Sequence, residues 1–142
     1  MPWEGLFTFV HLVAFAGWLL LLLAPRGPRV ASFVLYLCVG LLCLAYAVMF
    51  ASQAGTIFRG DFLSIEGIRA LFASDAGIVI GWTHYLAFDL FVGQWIAKDA
   101  DHKGFSRIAQ APVLLLTLLA GPIGMLIWLV IRERRARASA RS

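Results

Sequence analysis

Charge is scarce in this chain of 142 residues: Asp, Glu, Lys and Arg make up 14% of the sequence, whereas hydrophobic residues make up 61% and the mean hydropathy is +0.85. Soluble domains average about 25% charged and about 45–50% apolar residues. So few charges could not cover the outside of one small domain in water, which excludes an ordinary soluble protein. A single integral membrane domain over residues 1–142 is therefore predicted.

Residue patterns typical of soluble enzymes and metal centres are also missing. The two cysteines, Cys38 and Cys43, are five residues apart in one apolar stretch, which fits neither a disulfide nor a metal motif. No glycine-rich phosphate loop, nucleophile elbow or internal repeat occurs. Because the histidines show no ligand spacing either, no metal site is predicted.

Four apolar stretches, at about residues 6–24, 30–51, 77–96 and 111–131, each have about the 20 residues that a membrane-spanning helix needs. The first has no basic leader and no small-residue cleavage site, so it is interpreted as a retained helix. The predicted fold is an all-α bundle of four transmembrane helices, with a kink at Pro122 in the fourth. Between the second and third stretches, apolar residues at helical spacing predict a short amphipathic helix in the membrane interface: Ile65, Ile68, Leu71 and Phe72.

The orientation follows from the basic residues. Four spans would place both termini on one side, with seven Lys or Arg residues there and five on the other side. This excess favours a cytoplasmic C-terminal tail, residues 132–142. Arginines beside anionic lipid headgroups account for the tail, so no nucleic-acid partner is predicted. The seven are Arg59, Arg69, Arg132, Arg134, Arg135, Arg137 and Arg141, and the five are Arg26, Arg29, Lys98, Lys103 and Arg107.

Two ionisable residues, His84 and Asp89, lie in the third apolar stretch, where charge is costly. A neutral carboxylic acid can donate a proton and a neutral imidazole can accept one, so the two contain the parts for acid and base catalysis. An interhelical hydrogen-bonded clasp is the non-catalytic alternative. Five residues apart, they point about 140° apart on a regular helix. Either a π-bulge realigns them or each meets another partner, with His11, Tyr36, Tyr46, Gln94 and Thr117 as candidates.

The pattern Trp82-x-His84-x-x-x-x-Asp89-Leu90-Phe91, with residues 67–74 before it and Gly121-Pro122-Ile123-Gly124 after it, resembles the abscisic-acid-deficient-four-like family over essentially the whole chain. Plant members are plastid membrane proteins needed to convert the carotenoid violaxanthin to neoxanthin. Bacterial and cyanobacterial relatives are short four-span proteins. Because it has no plastid transit segment, the chain is similar to the bacterial type, which implies the bacterial inner membrane.

The resemblance implies an isomerase-type reaction that opens an epoxide to a tertiary alcohol while a vinylic proton leaves and an allene forms. Such a reaction needs an acid and a base, but no redox change and no obligatory cofactor. Asp89 as acid and His84 as base, or the reverse, would supply them. Trp82, Phe91 and Trp95 would form the walls of a groove, open to lipid, for a bound carotenoid, another isoprenoid or a lipid.

A rival interpretation is a non-catalytic accessory or carotenoid-binding subunit that docks on a larger pigment or respiratory complex. Glycines in the third and fourth stretches would permit the close helix approach that docking or homo-oligomerisation requires. A transporter or proton relay is less favoured, because no inverted repeat occurs. In a non-catalytic subunit, Trp82, Phe91 and Trp95 would serve in packing or in the aromatic belt at the membrane interface.

Overall fold

The computed structural model describes residues 1–25 and 27–139. From residue 135 on, it describes the backbone alone. Arg26 and Arg141, both used in the charge count, lie outside the described residues, and Arg135 and Arg137 are described by their backbone alone. The described chain is helical, which confirms the all-α prediction. Its helices are α1 Trp3–Leu23, α2 Pro28–Ser52, α3 Ala54–Ile57, α4 Ile65–Leu71, α5 Asp75–His102, α6 Arg107–Leu119 and α7 Gly121–Ser139.

Three of these helices are long and apolar enough to cross a membrane: α1 with 21 residues, α2 with 25 and α5 with 28. The protein is therefore a membrane-embedded helical protein. Pro28 occupies the first turn of α2, where its missing N–H costs no helical hydrogen bond. The helix α5 extends beyond the third predicted span, 77–96, at both ends and continues to His102.

The core lies where α1 and α2 pack against α5. Trp18, Leu42 and Leu90 are at most 2% exposed. A Cβ atom at Gly93 would lie 2.3 Å from Cη2 of Trp18, so glycine is required for the indole ring to pack on α5. The close-packed contacts between these apolar side chains hold the helices together even in lipid.

The predicted short helix between the second and third spans is confirmed as α4. Ser64 caps its N-terminus, because the Ser64 hydroxyl accepts a hydrogen bond from the N–H of Gly67 at 3.0 Å. Ser74 caps α5 in the same way through Gly77 at 3.1 Å. The location of α4 in the membrane interface stays a prediction.

The predicted fourth span, residues 111–131, is wrong. This stretch forms two antiparallel helices, α6 and α7, that meet at Ala120. The rings of Phe105 and Trp128 lie 5.2 Å apart, whereas one uninterrupted helix would place these residues about 35 Å apart. The chain therefore runs back along α5 in α6 and returns in α7, as a helical hairpin.

The reversal has a local cause. Ala120 leaves the helical region with φ −154° and ψ 71°. Pro122 cannot continue α6, since it lacks an N–H, but it suits the first turn of a new helix. A Cβ atom at Gly124 would lie 2.2 Å from Oγ1 and 2.6 Å from the backbone nitrogen of Thr117, so the two helices can close only around glycine. The kink predicted at Pro122 is thus a complete turn.

The tip of the α6–α7 hairpin lies beside the middle of α5, where the Tyr85 hydroxyl donates to the Leu119 carbonyl at 3.3 Å. The open end of the hairpin lies beside the last turns of α5, where Arg132 contacts Asp99. The end of α1 is at this same end of the bundle, because Nη2 of Arg107 donates to the Leu22 carbonyl at 2.8 Å. The α1–α2 connection, the α5–α6 connection and the basic tail therefore emerge together.

Candidate functional site

Asp89 is buried at the centre of α5, with 8% of its surface exposed, and faces the tip of the hairpin. A Cβ atom at Gly121 would lie 2.0 Å from Oδ1 of Asp89, so the carboxyl group packs directly against the first residue of α7. The N-terminus of a helix carries partial positive charge. Oδ2 has no hydrogen-bond partner among the described residues. The carboxyl group thus lies next to the N-terminus of α7 and keeps one oxygen that can accept a hydrogen bond.

Tyr85 is a polar neighbour of Asp89. It lies one turn earlier on α5, and its hydroxyl group interacts with the Asp89 carboxyl group. The same hydroxyl group donates to the Leu119 carbonyl at 3.3 Å. Tyr85 is half-buried, so it connects the buried carboxyl group with the outer surface of the bundle. Sequence reasoning missed it, although the i, i+4 spacing to Asp89 was a usable signal.

Trp82 covers the other side of Tyr85. The two rings are stacked with centroids 5.2 Å apart, and Nε1 of Trp82 donates to Nε2 of His11 at 2.9 Å. The other His11 nitrogen, Nδ1, lies 2.8 Å from the Phe7 carbonyl. A carbonyl oxygen only accepts, so this network places the His11 proton on Nδ1. Among the predicted partners, His11 therefore orients Trp82 and ties α1 to α5.

His84 lies on a different face of α5. Its ring packs against Phe88 at 4.6 Å and Tyr46 at 5.7 Å, measured between centroids. Because α5 is a regular α-helix throughout, the π-bulge alternative is wrong, and the π-helical segment lies in α2 at Phe33–Val39 instead. His84 and Asp89 therefore have separate surroundings, as their spacing indicated.

A groove of about 250 Å³ lies beside His84, between α2, α5 and the segment that carries α3 and α4. Its walls are mostly aromatic and aliphatic. They comprise Tyr46, Phe50, Ile57, Phe62, Leu71, Phe72, Gly77, Ile80, Gly81 and His84. The three predicted groove residues are not among them: Trp82 packs towards α1, Phe91 is 47% exposed, and Trp95 lies under the Arg132 guanidinium group at 5.5 Å.

Comparison with known proteins gives one decisive finding. The family model described as ABA DEFICIENT 4-like matches residues 5–128, which is most of the chain. The chain belongs to the ABA DEFICIENT 4-like family. The match includes the hairpin tip beside Asp89 and ends at Trp128, before the basic tail. No curated protein and no solved structure matches the chain.

A second polar cluster holds the open end of the hairpin in this ABA DEFICIENT 4-like protein. Oδ2 of Asp99 accepts from Nε1 of Trp128 at 3.0 Å and from Nε of Arg132 at 2.8 Å, while Oδ1 accepts from Nη2 of Arg132 at 3.2 Å. Arg132 had been assigned to the basic tail, so sequence reasoning missed its pairing with Asp99. In the described part of the chain, no three His, Cys, Asp or Glu side chains are grouped to hold a metal ion.

Proposed function

We propose that this ABA DEFICIENT 4-like protein is a carotenoid isomerase of the neoxanthin-synthase type, which converts an epoxide to an allene without redox change. The observation that supports this best is Asp89, a carboxyl group 8% exposed in the middle of a spanning helix, one oxygen of which has no hydrogen-bond partner among the described residues. An ionisable group at that depth is costly and indicates function. No cofactor is required by the proposed reaction.

The reaction balances with one acid and one base. Protonation of the epoxide oxygen breaks its bond to one carbon and leaves a tertiary alcohol on the other. The vinylic C–H bond breaks at the same time, its proton goes to the base, and its electron pair forms the second double bond of the allene. In this proposal His84 accepts the vinylic proton, and the half-buried Tyr85 hydroxyl relays the Asp89 proton to the epoxide oxygen, because Asp89 lies on another face of α5. The reacting ring would lie over α5 between His84 and Tyr85, which are adjacent in the sequence. The variants test whether each of the three groups is required.

The substrate would bind from the lipid. The groove beside His84 offers about 250 Å³ for one end ring, with aromatic walls that suit an isoprenoid. Trp82, Phe91 and Trp95 expose 41%, 47% and 36% of their surfaces along α5. A polyene that follows the His84 face of α5 outside the bundle would pass Phe91 and Trp95, whereas Trp82 lies on the face that meets Tyr85 and His11.

Three variants test the catalytic assignment in bacteria that make violaxanthin, with products separated by chromatography. We expect Asp89→Asn and His84→Asn each to lose about 100-fold or more of the turnover, as removal of an acid or a base does. Tyr85→Phe should lose less. Asp75→Asn, which removes a carboxylate at the start of the same helix, is the matched control and should be fully active. Full turnover in both Asp89→Asn and His84→Asn, at equal protein levels, would overturn the assignment.

The accessory-subunit alternative is distinguished by purification in mild detergent. An absorption spectrum with polyene bands, together with a mass that contains this chain alone, would support an enzyme or a carrier. Larger subunits that copurify, with no turnover by the isolated chain, would support docking to a membrane complex. A mass of two or more copies would show a homo-oligomer.

We also propose an orientation in a bacterial inner membrane. The reversal at Ala120 brings the α1–α2 connection, the α5–α6 connection and the tail to one end, which changes the charge comparison to eight basic residues against two among the described positions. The basic end would be cytoplasmic. The eight are Arg29, Lys98, Lys103, Arg107, Arg132, Arg134, Arg135 and Arg137, and the two are Arg59 and Arg69.

Cysteine labelling tests this orientation. In a chain with Cys38 and Cys43 replaced by serine, we expect Ser106→Cys and Glu133→Cys to react with an impermeant thiol reagent only from the cytoplasmic side. Ser64→Cys should react only from outside. Labelling of Ser106→Cys and Glu133→Cys from opposite sides would restore four spans and contradict the hairpin topology.

A further inference from the structure

A cavity of about 400 Å³ lies at the basic end of the bundle, between the end of α1, the start of α2 and the last turns of α5. It is separate from the groove beside His84. Leu20, Val30 and Val34 contribute to its mainly apolar walls, whereas its polar side chains all come from α5. Its volume is within the range of small-molecule sites, about 300–1,000 Å³.

Gln94 is the buried polar group of this cavity, with 4% of its surface exposed. Its Nε2 donates to the Ala31 carbonyl at 2.5 Å, which fixes the amide orientation. Its Oε1 has no hydrogen-bond partner among the described residues. Because a buried acceptor without a hydrogen-bond partner is costly, a hydroxyl group of a ligand would be stabilised there.

Lys98 and His102 continue from Gln94 along one face of α5 at intervals of four residues, or about 6 Å. The His102 ring is oriented by a contact of 2.8 Å between Nδ1 and the Lys98 carbonyl. Asp101, the carboxylate among the lining residues, accepts from Nε2 of Gln110 at 2.8 Å. The outer part of the cavity therefore offers an ammonium group and an imidazole to an anion.

We propose that this cavity binds a single-chain anionic lipid with a hydroxyl group beside its phosphate, as in a lysophospholipid. The phosphate would contact Lys98 at the membrane surface, where basic side chains recognise lipid headgroups. The hydroxyl group would donate to Oε1 of Gln94, one helical turn further in. The single chain would lie along Leu20, Val30 and Val34. This site does not depend on the proposed isomerase activity.

Affinity measurements on the full-length protein in neutral detergent test the proposal with matched lipids. We expect 1-acyl lysophosphatidic acid to bind about tenfold more tightly than its 2-O-methyl analogue, which lacks the hydroxyl group, and than lysophosphatidylcholine, which is zwitterionic. Gln94→Leu should remove the first preference alone, and Lys98→Gln the second alone. Lys103→Gln, a basic residue at the same end but outside the cavity lining, is the control and should bind as the wild type does.

Two further measurements separate this site from non-specific partitioning. Val30→Trp fills the cavity from its half-buried wall and should abolish saturable binding, while the melting temperature reports folding. Equal affinity of the wild type for all three lipids would overturn the proposal, and so would binding unaffected by Val30→Trp. Displacement of the lipid by inorganic phosphate at similar concentration would show a free-phosphate site and also overturn it.

Discussion

The two hairpins of the molecule begin their second helices with the same dipeptide but differ in depth. Gly27-Pro28 starts α2 and Gly121-Pro122 starts α7. The first pair follows a helix of 21 residues and the second a helix of 13 residues, so one turn lies at an end of the bundle and the other beside its middle. Glycine followed by proline thus marks a reversal in both places, whatever the polarity of the neighbouring residues.

The hairpins also differ in what holds them. α1 and α2 pack through apolar side chains that include Val10, Val34 and Leu42. The shorter α6–α7 hairpin adds polar contacts with α5, at Asp99 near its open end and at Tyr85 near its tip. A half-length hairpin buries less apolar surface, so we infer that its position depends more strongly on these contacts.

The largest expected effect comes from adding a Cβ atom at Gly124, in the second hairpin. The same change at Gly27, in the first hairpin, should have little effect. Gly124→Ala should lower the free energy of unfolding by about 3 kcal/mol, because its Cβ atom would meet the Thr117 backbone, which cannot move away easily. In the first hairpin, Gly27→Ala has no atom within 4 Å of the new Cβ and an extended φ of −162°, so a change below about 0.5 kcal/mol is expected. Unfolding in mixed detergent micelles measures both. Equal losses would show that the second turn is not specially close-packed.

An intermediate effect is expected at the open end of the second hairpin. Asp99→Asn should cost about 2 kcal/mol, because one carboxylate serves both Arg132 and Trp128 in a partly buried site. The exposed Arg69–Glu66 pair, at 3.8 Å, is the control, and Glu66→Gln should change stability by less than about 0.5 kcal/mol. A double-mutant cycle with Arg132→Gln isolates the ion pair. A coupling energy near zero would mean that Asp99 acts through Trp128 alone.

The smallest effect is expected in the connection between α2 and α5, which reverses the chain without a Gly-Pro pair. The Ser64 hydroxyl and then the Leu63 N–H, at 2.8 Å, donate to Asp61 and lower its pKa. A lowered folded-state pKa stabilises this turn above the ordinary Asp pKa, and that contribution is lost as the pH falls through the folded value. Amide exchange at Leu63 should therefore be faster in Asp61→Asn than in the wild type at pH 6. The difference should vanish at strongly acidic pH, and a difference that persists there would exclude the carboxylate as its cause.

The length of the apolar stretches and the spacing of apolar residues were sufficient to predict much of the fold. Apolar length identified α1, α2 and α5, and the spacing of Ile65, Ile68 and Leu71 identified α4. The reversal at Ala120 was not predicted, because apolar residues continue on both sides of Gly121-Pro122 and hydropathy cannot distinguish one long helix from two short ones. Tertiary contacts such as that between Phe105 and Trp128 separate the two arrangements.

The candidate site was predictable in the same partial way. The spacing of His84 and Asp89 correctly indicated separate surroundings, because angular position on a helix follows from sequence. The contact between the Asp89 carboxyl group and the N-terminus of α7 was not predictable, since the unexpected turn creates it. Tyr46 was among the candidate partners and packs on His84. The catalytic roles stay predictions.

The reversal at Ala120 has a consequence for how the protein is made. The start of α6 and the end of α7 lie at the same end of the bundle, so in the proposed orientation, with that end cytoplasmic, no arginine of the tail passes through the hydrocarbon core during biosynthesis. Arg132, Arg134, Arg135 and Arg137 would each be expensive to move across it. In that proposed orientation, insertion would finish with α5 as the last segment to cross the membrane, and the α6–α7 hairpin would then enter from the cytoplasmic side.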